Sequence, residues 1–270
     1  MWSELSLSRL GTAFLLSAAI SVLAWRAKAL SQSGAIAAFF VGGVVFGVGG
    51  WSGAAVLLTF FLSSSLLSRA FARHKEELGQ FVLKGTERDA AQVLANGGFS
   101  TLCVLLGLQF PMFSGWFLAF CGGLAAANAD TWATELGALS PQPPRLLSTG
   151  QIVPRGTSGG VTPLGLLASL LGAALVGAVA AWFASERLLT FGAVSVGGVV
   201  GSLFDSWLGA GWQAVYRCSR CEKETEQHPR HACGEQTYRV RGWKWLDNDG
   251  VNFACTVLGG IVAAGLGLLR

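Results

Sequence analysis

Eight apolar runs, each at least sixteen residues long, follow one another from Leu10 to Leu269. A helix needs about 20 predominantly apolar residues to cross a bilayer core, so runs of this length and number commit a chain of 270 residues to the membrane. With 52% hydrophobic and 13% charged residues and a mean hydropathy of +0.52, the chain is too apolar for a soluble globular protein. The expected fold is an all-α polytopic transmembrane bundle of about eight helices, at 10–25, 34–49, 52–67, 91–109, 113–138, 160–184, 188–214 and 250–269. One integral membrane domain is expected over 1–270, with a small Cys/His-rich insertion at 215–247 between helices seven and eight. The first run follows a mildly basic start, as a signal peptide would. Arg26 and Lys28 stand where a cleavage site should be neutral and small, so the run is read as a retained helix.

Threading these helices back and forth puts sixteen of nineteen basic residues on one side, including Arg69, Arg73, Lys75, Lys84, Arg88, Arg155, Lys223 and Arg241. Only Arg9, Arg187 and Arg270 fall on the other. The positive-inside rule then makes the basic side cytoplasmic, with the loops 68–90, 139–159 and 215–249. One Arg before the first helix is unlike a transit peptide, and the expected location is a bacterial inner membrane. Paired glycines such as Gly122-Gly123 and Gly197-Gly198 fit close helix packing. No internal repeat supports an inverted-repeat transporter.

Against this apolar background the polar residues inside helices stand out, because an ionisable group in a membrane segment is costly. Asn128, Asp130, Thr131, Thr134 and Glu135 cluster near the end of the fifth helix. At about 100° per residue they fit an arc of about 160°, with Ala129, Trp132, Ala133 and Leu136 on the other side, free to face lipid or a neighbouring helix. The two acids sit about 140° apart, so neither replaces the other. Asp205, on a stripe with Gly201, Ser202, Ser206 and Gly209, lies at a similar depth in the seventh helix, roughly 12 to 14 Å from its cytoplasmic end. Asp247, Asn248, Asp249 and Asn252 enter the eighth helix; one suffices as a cap, and the excess points to a site.

Gly156-Thr157-Ser158-Gly159-Gly160 leads into the sixth helix, where converging backbone N–H groups suit a phosphate. Arg88, Gln92 and Asn96, spaced by four, are expected along one helical face that opens to the cytoplasm, with Arg88 suited to bidentate phosphate binding. Carboxylates beside a phosphate site imply Mg²⁺. In the insertion, Cys218-x-x-Cys221 followed by His228, His231 and Cys233 has the spacing of a structural zinc site, with His231 favoured over His228 as the fourth ligand. Cys103, Cys121 and Cys255 lie in apolar runs and read as small core residues.

Together these motifs resemble one family. Arg88-x-x-x-Gln92-Val93-x-x-Asn96-Gly97, Asn128-x-Asp130-Thr131 through Thr134-Glu135-x-Gly137, Gly156 to Thr162, Gly201 to Ala210 with Asp205, and Asp247-Asn248-Asp249 to Asn252 occur in the order found in the transmembrane protein nineteen family. That family includes a plant chloroplast phytyl-phosphate kinase, and the resemblance runs from about residue 34 to the C-terminus. It implies transfer of a phosphate from a nucleoside triphosphate, CTP favoured, to a prenyl monophosphate such as phytyl phosphate. The cysteine-rich loop occurs in only part of that family, which favours a structural role for it.

The chemistry expected is phosphotransfer at Mg²⁺ held by Asp130, Asp205, Asp247 and Asp249, with Arg88 and the glycine loop on phosphates and Glu135, Asn128 and Asn252 orienting them. The partners are the bilayer, a prenyl phosphate and a nucleoside triphosphate, with no nucleic acid. A CTP-dependent nucleotidyl transferase acting on a lipid phosphate, and a phospholipid transporter or flippase, are the alternatives.

Overall fold

The computed structural model describes residues 6–77, 87–222 and 224–269. Lys84, Lys223 and Arg270 of the charge count lie outside them, and the side chains of Arg73 and Lys75 are likewise not described. Seven helices run through the described residues: α1 Leu7–Arg26, α2 Gln32–Glu77, α3 Ala90–Gln109, α4 Trp116–Gly137, α5 Pro163–Trp182, α6 Arg187–Gly211 and α7 Asn248–Leu268. Six of them are long and apolar enough to cross a membrane. Helical backbone satisfies its own polar groups, which hydrocarbon cannot.

The expected pair 34–49 and 52–67 is a single α2 broken at Gly50, whose φ of 64° and ψ of −157° leave the helical region. The chain folds back there: a Cβ on Gly53 would lie 2.9 Å from the Val45 carbonyl oxygen, a contact that a continuous helix forbids. Only glycine takes such a conformation without strain, so two spans are joined with no loop. The second half runs on to Glu77, and Arg69 therefore lies on a helix rather than in the expected loop.

Caps set the other boundaries. Asp89 forms a capping box with Gln92 at the start of α3. Thr162 accepts from the Gly165 amide with Pro163 at the first helical position, which starts α5 later than the expected residue 160. Asp247 accepts from the Gly250 amide at the start of α7.

α4 sits at the centre. Its residues Phe117 to Ala129 are all buried, and it packs on α5, α6, α7, α3 and α2. Trp132 and Ala133, on the arc free to face lipid or a neighbouring helix, pack against Gly172 and Gly165 of α5, so that arc meets a helix. Close approach depends on missing side chains: a Cβ on Gly259 would lie 2.7 Å from the Ala126 Cβ and 3.0 Å from the Gly197 carbonyl oxygen. α5 shows the same logic, with Ala168, Gly172, Ala173 and Val176 inside and Leu166, Leu167, Leu170 and Leu171 outside. Small residues inward and large ones outward suit a lipid-solvated bundle. Gly259→Val should overpack the α4–α6–α7 junction by about 1 to 3 kcal/mol, read as a lower unfolding temperature and reduced yield in detergent.

The ends of α1, α2, α4 and α6 and the starts of α3, α5 and α7 gather at one end of the bundle. There Ser31 donates its amide to the Arg88 carbonyl, and Arg88 donates its amide to Ala29. The same end carries a short hairpin, β1 Arg145–Leu146 with β2 Gly160–Val161, and a three-stranded antiparallel sheet in the order β4-β3-β5, from Glu224–Thr225, Val215–Cys218 and Thr237–Arg241. Trp207, Trp212, Trp243 and Trp245 form a row of ring contacts at this end, tilted, edge-to-face and stacked in turn, with successive centroids 6.0, 4.7 and 5.2 Å apart. Trp51 and Trp182 are exposed at the other. Aromatic rings at both ends match the two interfaces of a bilayer.

Candidate functional site

A cavity of about 1440 Å³ opens at this end of the bundle. Three helices bring carboxylates to it: Asp130 from α4, Asp205 from α6, and Asp247 and Asp249 at the start of α7. Asp130 lies seven residues from the end of α4 and Asp205 six from the end of α6. Their depth is therefore roughly 9 to 11 Å, a little shallower than expected, because both helices end sooner. The Asp205 carboxylate interacts electrostatically with Asp130 and Glu226. Its Oδ2 is buried without a hydrogen-bond partner. A buried carboxylate oxygen left this way beside like charges fits a bound cation, and the all-oxygen donor set suits Mg²⁺. The cap occupies only one oxygen of Asp247.

The loop Gly156 to Gly160 lines the same cavity, together with Gln92, Thr134, Ser206 and Asn248. Gly159 has φ of 80°, and a Cβ there would lie 2.2 Å from the Ala210 amide nitrogen, so the loop lies directly on the last turn of α6. Part of its glycine content thus serves packing.

The other expected residues are placed elsewhere. Asn128 is fully buried, accepting from the Ser63 hydroxyl at 2.8 Å and donating to the Gly172 carbonyl at 2.8 Å, so it ties α2, α4 and α5 together. Thr131 donates to the Ala127 carbonyl within its own helix. Glu135 is buried and accepts from the Ser68 hydroxyl at 3.0 Å. Asn252 is half-buried on α7 and outside the cavity lining.

Arg88 precedes α3, which starts at Ala90, so the expected helical face of Arg88, Gln92 and Asn96 is not formed as a whole. Its guanidinium carbon lies 5.4 Å from the centroid of the Phe60 ring. Desolvation lowers its pKa to about 10, while the Glu135 carboxylate acts in the opposite sense, so it is a cation at neutral pH. Arg88 and Asn96 line a second, apolar pocket, and Gln92 lines both.

The insertion holds what sequence reading missed. Residues 224–228, with Glu222, Arg230 and His231, form one wall of the large cavity. Gln213, nearly inaccessible, accepts from the Ser158 hydroxyl at 2.7 Å and donates to Glu226 at 2.7 Å, joining the glycine loop to the insertion. Arg241 donates to the carbonyls of Gly209, Ala210 and Ser158, capping α6 and holding the loop. A buried Gln after an apolar helix is a weak sequence signal. Nothing local marks Glu226 or Arg241, whose placements follow from the pairing of β3 with β4 and with β5, respectively.

Cys218, Cys221, His231 and Cys233 gather with their ligand atoms within 4.8 Å of one another, a set that could hold a metal ion. Cys218 and Cys233 sulfurs are 3.4 Å apart, and His231 Nδ1 is 3.2 Å from Cys233 Sγ. The Cys221 amide, donating to Cys218 Sγ, is the main cause of a lowered Cys218 pKa, which favours the thiolate a metal needs. His228 instead stacks on Tyr216 at 4.5 Å. His231→Ala should therefore remove bound metal, and His228→Ala should leave the metal content of the purified protein unchanged. Elemental analysis distinguishes the two.

A family model described as Integral membrane protein DUF92 matches residues 15–260. Protein PGR of Arabidopsis thaliana is 34% identical over 277 residues, covering 93% of each chain. An uncharacterized membrane protein of Methanocaldococcus jannaschii is 28% identical over 258 residues, covering 95% of this chain and 94% of its own. Protein VTE6, chloroplastic, of Arabidopsis thaliana is 26% identical over 238 residues, covering 87% of this chain and 64% of its own. No solved structure matches the chain.

Proposed function

Because the chain belongs to the DUF92 family of integral membrane proteins, the family its five motifs resemble, we propose that it transfers a phosphate from a nucleoside triphosphate, CTP favoured, to a prenyl monophosphate. One observation carries this reading: Asp130, Asp205 and Asp249, from three helices, share a cavity with the Gly156 to Gly160 loop. Mg²⁺ bound to these carboxylates and to the free oxygen of Asp247 would neutralise the phosphate oxygens. The loop amides and Gln92 bind phosphate, while Thr134, Ser206 and Asn248 orient it. Arg88 supplies a fixed cation beside them.

An oxygen of the prenyl monophosphate attacks the γ-phosphorus of CTP in line, the bond from that phosphorus to the β-bridging oxygen breaks, and CDP leaves with the electron pair. The monoester is already anionic, so no general base is needed. Catalysis then rests on positioning and charge neutralisation. The metal at the insertion is zinc and structural, and this end of the bundle faces the cytoplasm of a bacterial inner membrane.

Incubating the purified protein with labelled phytyl or geranylgeranyl phosphate, CTP and Mg²⁺ tests the reading. Release of CDP with prenyl diphosphate is expected. Release of pyrophosphate would make it a nucleotidyl transferase, and no turnover across several prenyl phosphates and nucleotides would reject both.

A further inference from the structure

A second cavity, of about 200 Å³, lies between α1, α2 and α3, and its lining is almost wholly apolar, without the carboxylates of the first. Leu16, Ile20, Val41, Leu57 and Phe61 are among its lining residues. It is a slot rather than a sealed void, since Leu16 and Ile20 are also exposed on the outer surface of the bundle. Ala13 and Ala24 of α1 both line it, so it extends roughly 17 Å along the bundle, a large part of the way across a bilayer core. Leu30 and Arg88 are at its end nearest the polar cavity, and Phe46 and Trp51 are at the opposite end.

Three features say what occupies it. Arg88 puts a guanidinium at one end: its backbone is paired on both sides with the α1–α2 connection, through Ala29 and Ser31, and its guanidinium carbon lies 5.4 Å from the centroid of the Phe60 ring. Gln92, one turn into α3, lines both this slot and the polar cavity, so the two are adjacent compartments with a shared wall. The slot is also narrow, about 200 Å³ over its length, which suits one hydrocarbon chain. A diacyl phospholipid would leave its second chain outside in the bilayer, whereas a lipid with one tail and an anionic head places all its hydrocarbon in an apolar slot ended by one cation.

We infer that the α1–α2–α3 slot holds the single hydrocarbon tail of a lipid monophosphate, whose phosphate lies between Arg88 and Gln92 and faces the carboxylate cavity. That the tail is a prenyl chain rests on the proposed function; that it is a single chain under one phosphate rests on the slot. The arrangement separates the two reactants. The lipid enters sideways from the bilayer, and the water-soluble triphosphate enters from the end of the bundle.

The test uses the full chain in nanodiscs and a geranylgeranyl monophosphate bearing a photoreactive diazirine at the distal end of its tail. After irradiation, label should map by mass spectrometry to peptides of α1, α2 and α3 that line the slot. Excess phytyl phosphate should abolish it, and the corresponding alcohol should compete about tenfold less well, as loss of one charge-assisted contact implies. Leu57→Trp, which fills the slot, should cut labelling about tenfold or more, and Ala54→Leu, a milder filling, should cut it less. Arg88→Gln should weaken phosphate-dependent competition while leaving the tail position unchanged.

Label outside the slot, undiminished label in both filled variants, or equal competition by a diacyl phospholipid would overturn the inference. Labelling requires no turnover, so the two readings fail separately. Slot labelling in a protein that transfers no phosphate rejects the proposed function alone, and turnover with label elsewhere rejects the slot alone.

Discussion

Asp205→Asn is expected to lower Mg²⁺-dependent phosphotransfer by about a thousandfold while raising the melting temperature of the metal-free protein. The two effects have one cause. Asp205 interacts with Asp130 and Glu226 across the cavity, and its Oδ2 is buried with no hydrogen-bond partner. Without a cation these like charges repel in a poorly screened environment, and a neutral amide of the same shape relieves part of that. If the proposed cation binds there, the same substitution would remove a ligand and negative charge from its site, a loss of the order seen when one electrostatic stabiliser of a transition state is deleted, about 3 to 4 kcal/mol. Thermal unfolding with and without Mg²⁺ reads both. The wild type should gain stability on Mg²⁺ addition, and the variant should start higher and gain little. A variant that keeps the wild-type response to Mg²⁺ and its turnover would remove Asp205 from the site.

Cys218→Ser is expected to abolish metal binding by the Cys/His cluster proposed to hold zinc, and with it the order of the insertion. Cys218 is wholly buried, sits at the end of β3 and pairs with Thr237 of β5. A segment this small has little apolar core of its own, so metal binding at the cluster would supply much of its folding free energy. The consequence reaches beyond the insertion. Glu226 and His231 line the large cavity, and Gln213 links Glu226 to Ser158 of the glycine loop. Turnover should therefore fall by about tenfold to a hundredfold, and KM for the nucleotide should rise, although no atom of the cluster need touch substrate. Hydrogen exchange should show lost protection over β3 to β5 and preserved protection in α4 and α6. Complete loss of turnover with the insertion still protected would instead make the cluster catalytic.

The helices were readable because their signal is local. Runs of apolar residues lie within a few residues of every observed span, and the break at Gly50 was visible as an interruption between two runs. Asp130 and Asp205 were readable for a related reason: a carboxylate in a membrane span costs so much that its presence alone marks it. Asn128 stood out on the same ground, yet it serves to join three helices, because a buried amide fulfilled by a hydroxyl and a carbonyl is also a stable arrangement in hydrocarbon. Arg88 was misplaced by periodicity, since spacing by four does not reveal that Asp89 caps the helix one residue later.

By itself the sequence determined a membrane-spanning helical bundle, the approximate limits of its spans, and a short set of acids and glycines too costly or too clustered to be incidental. Hydropathy, capping and the cost of a buried charge act over one helical turn or one span, and so they can be read along the chain. Which residues share a cavity was decided only by tertiary structure. The pairing of β3 with β4 turns an apparent appendage into a cavity wall, Arg241 on β5 reaches back to the end of α6, and Arg88 ends an apolar slot beside the carboxylate cavity. Those placements depend on contacts between segments many residues apart, whose energies belong to the assembled bundle and leave no periodic trace in any one segment.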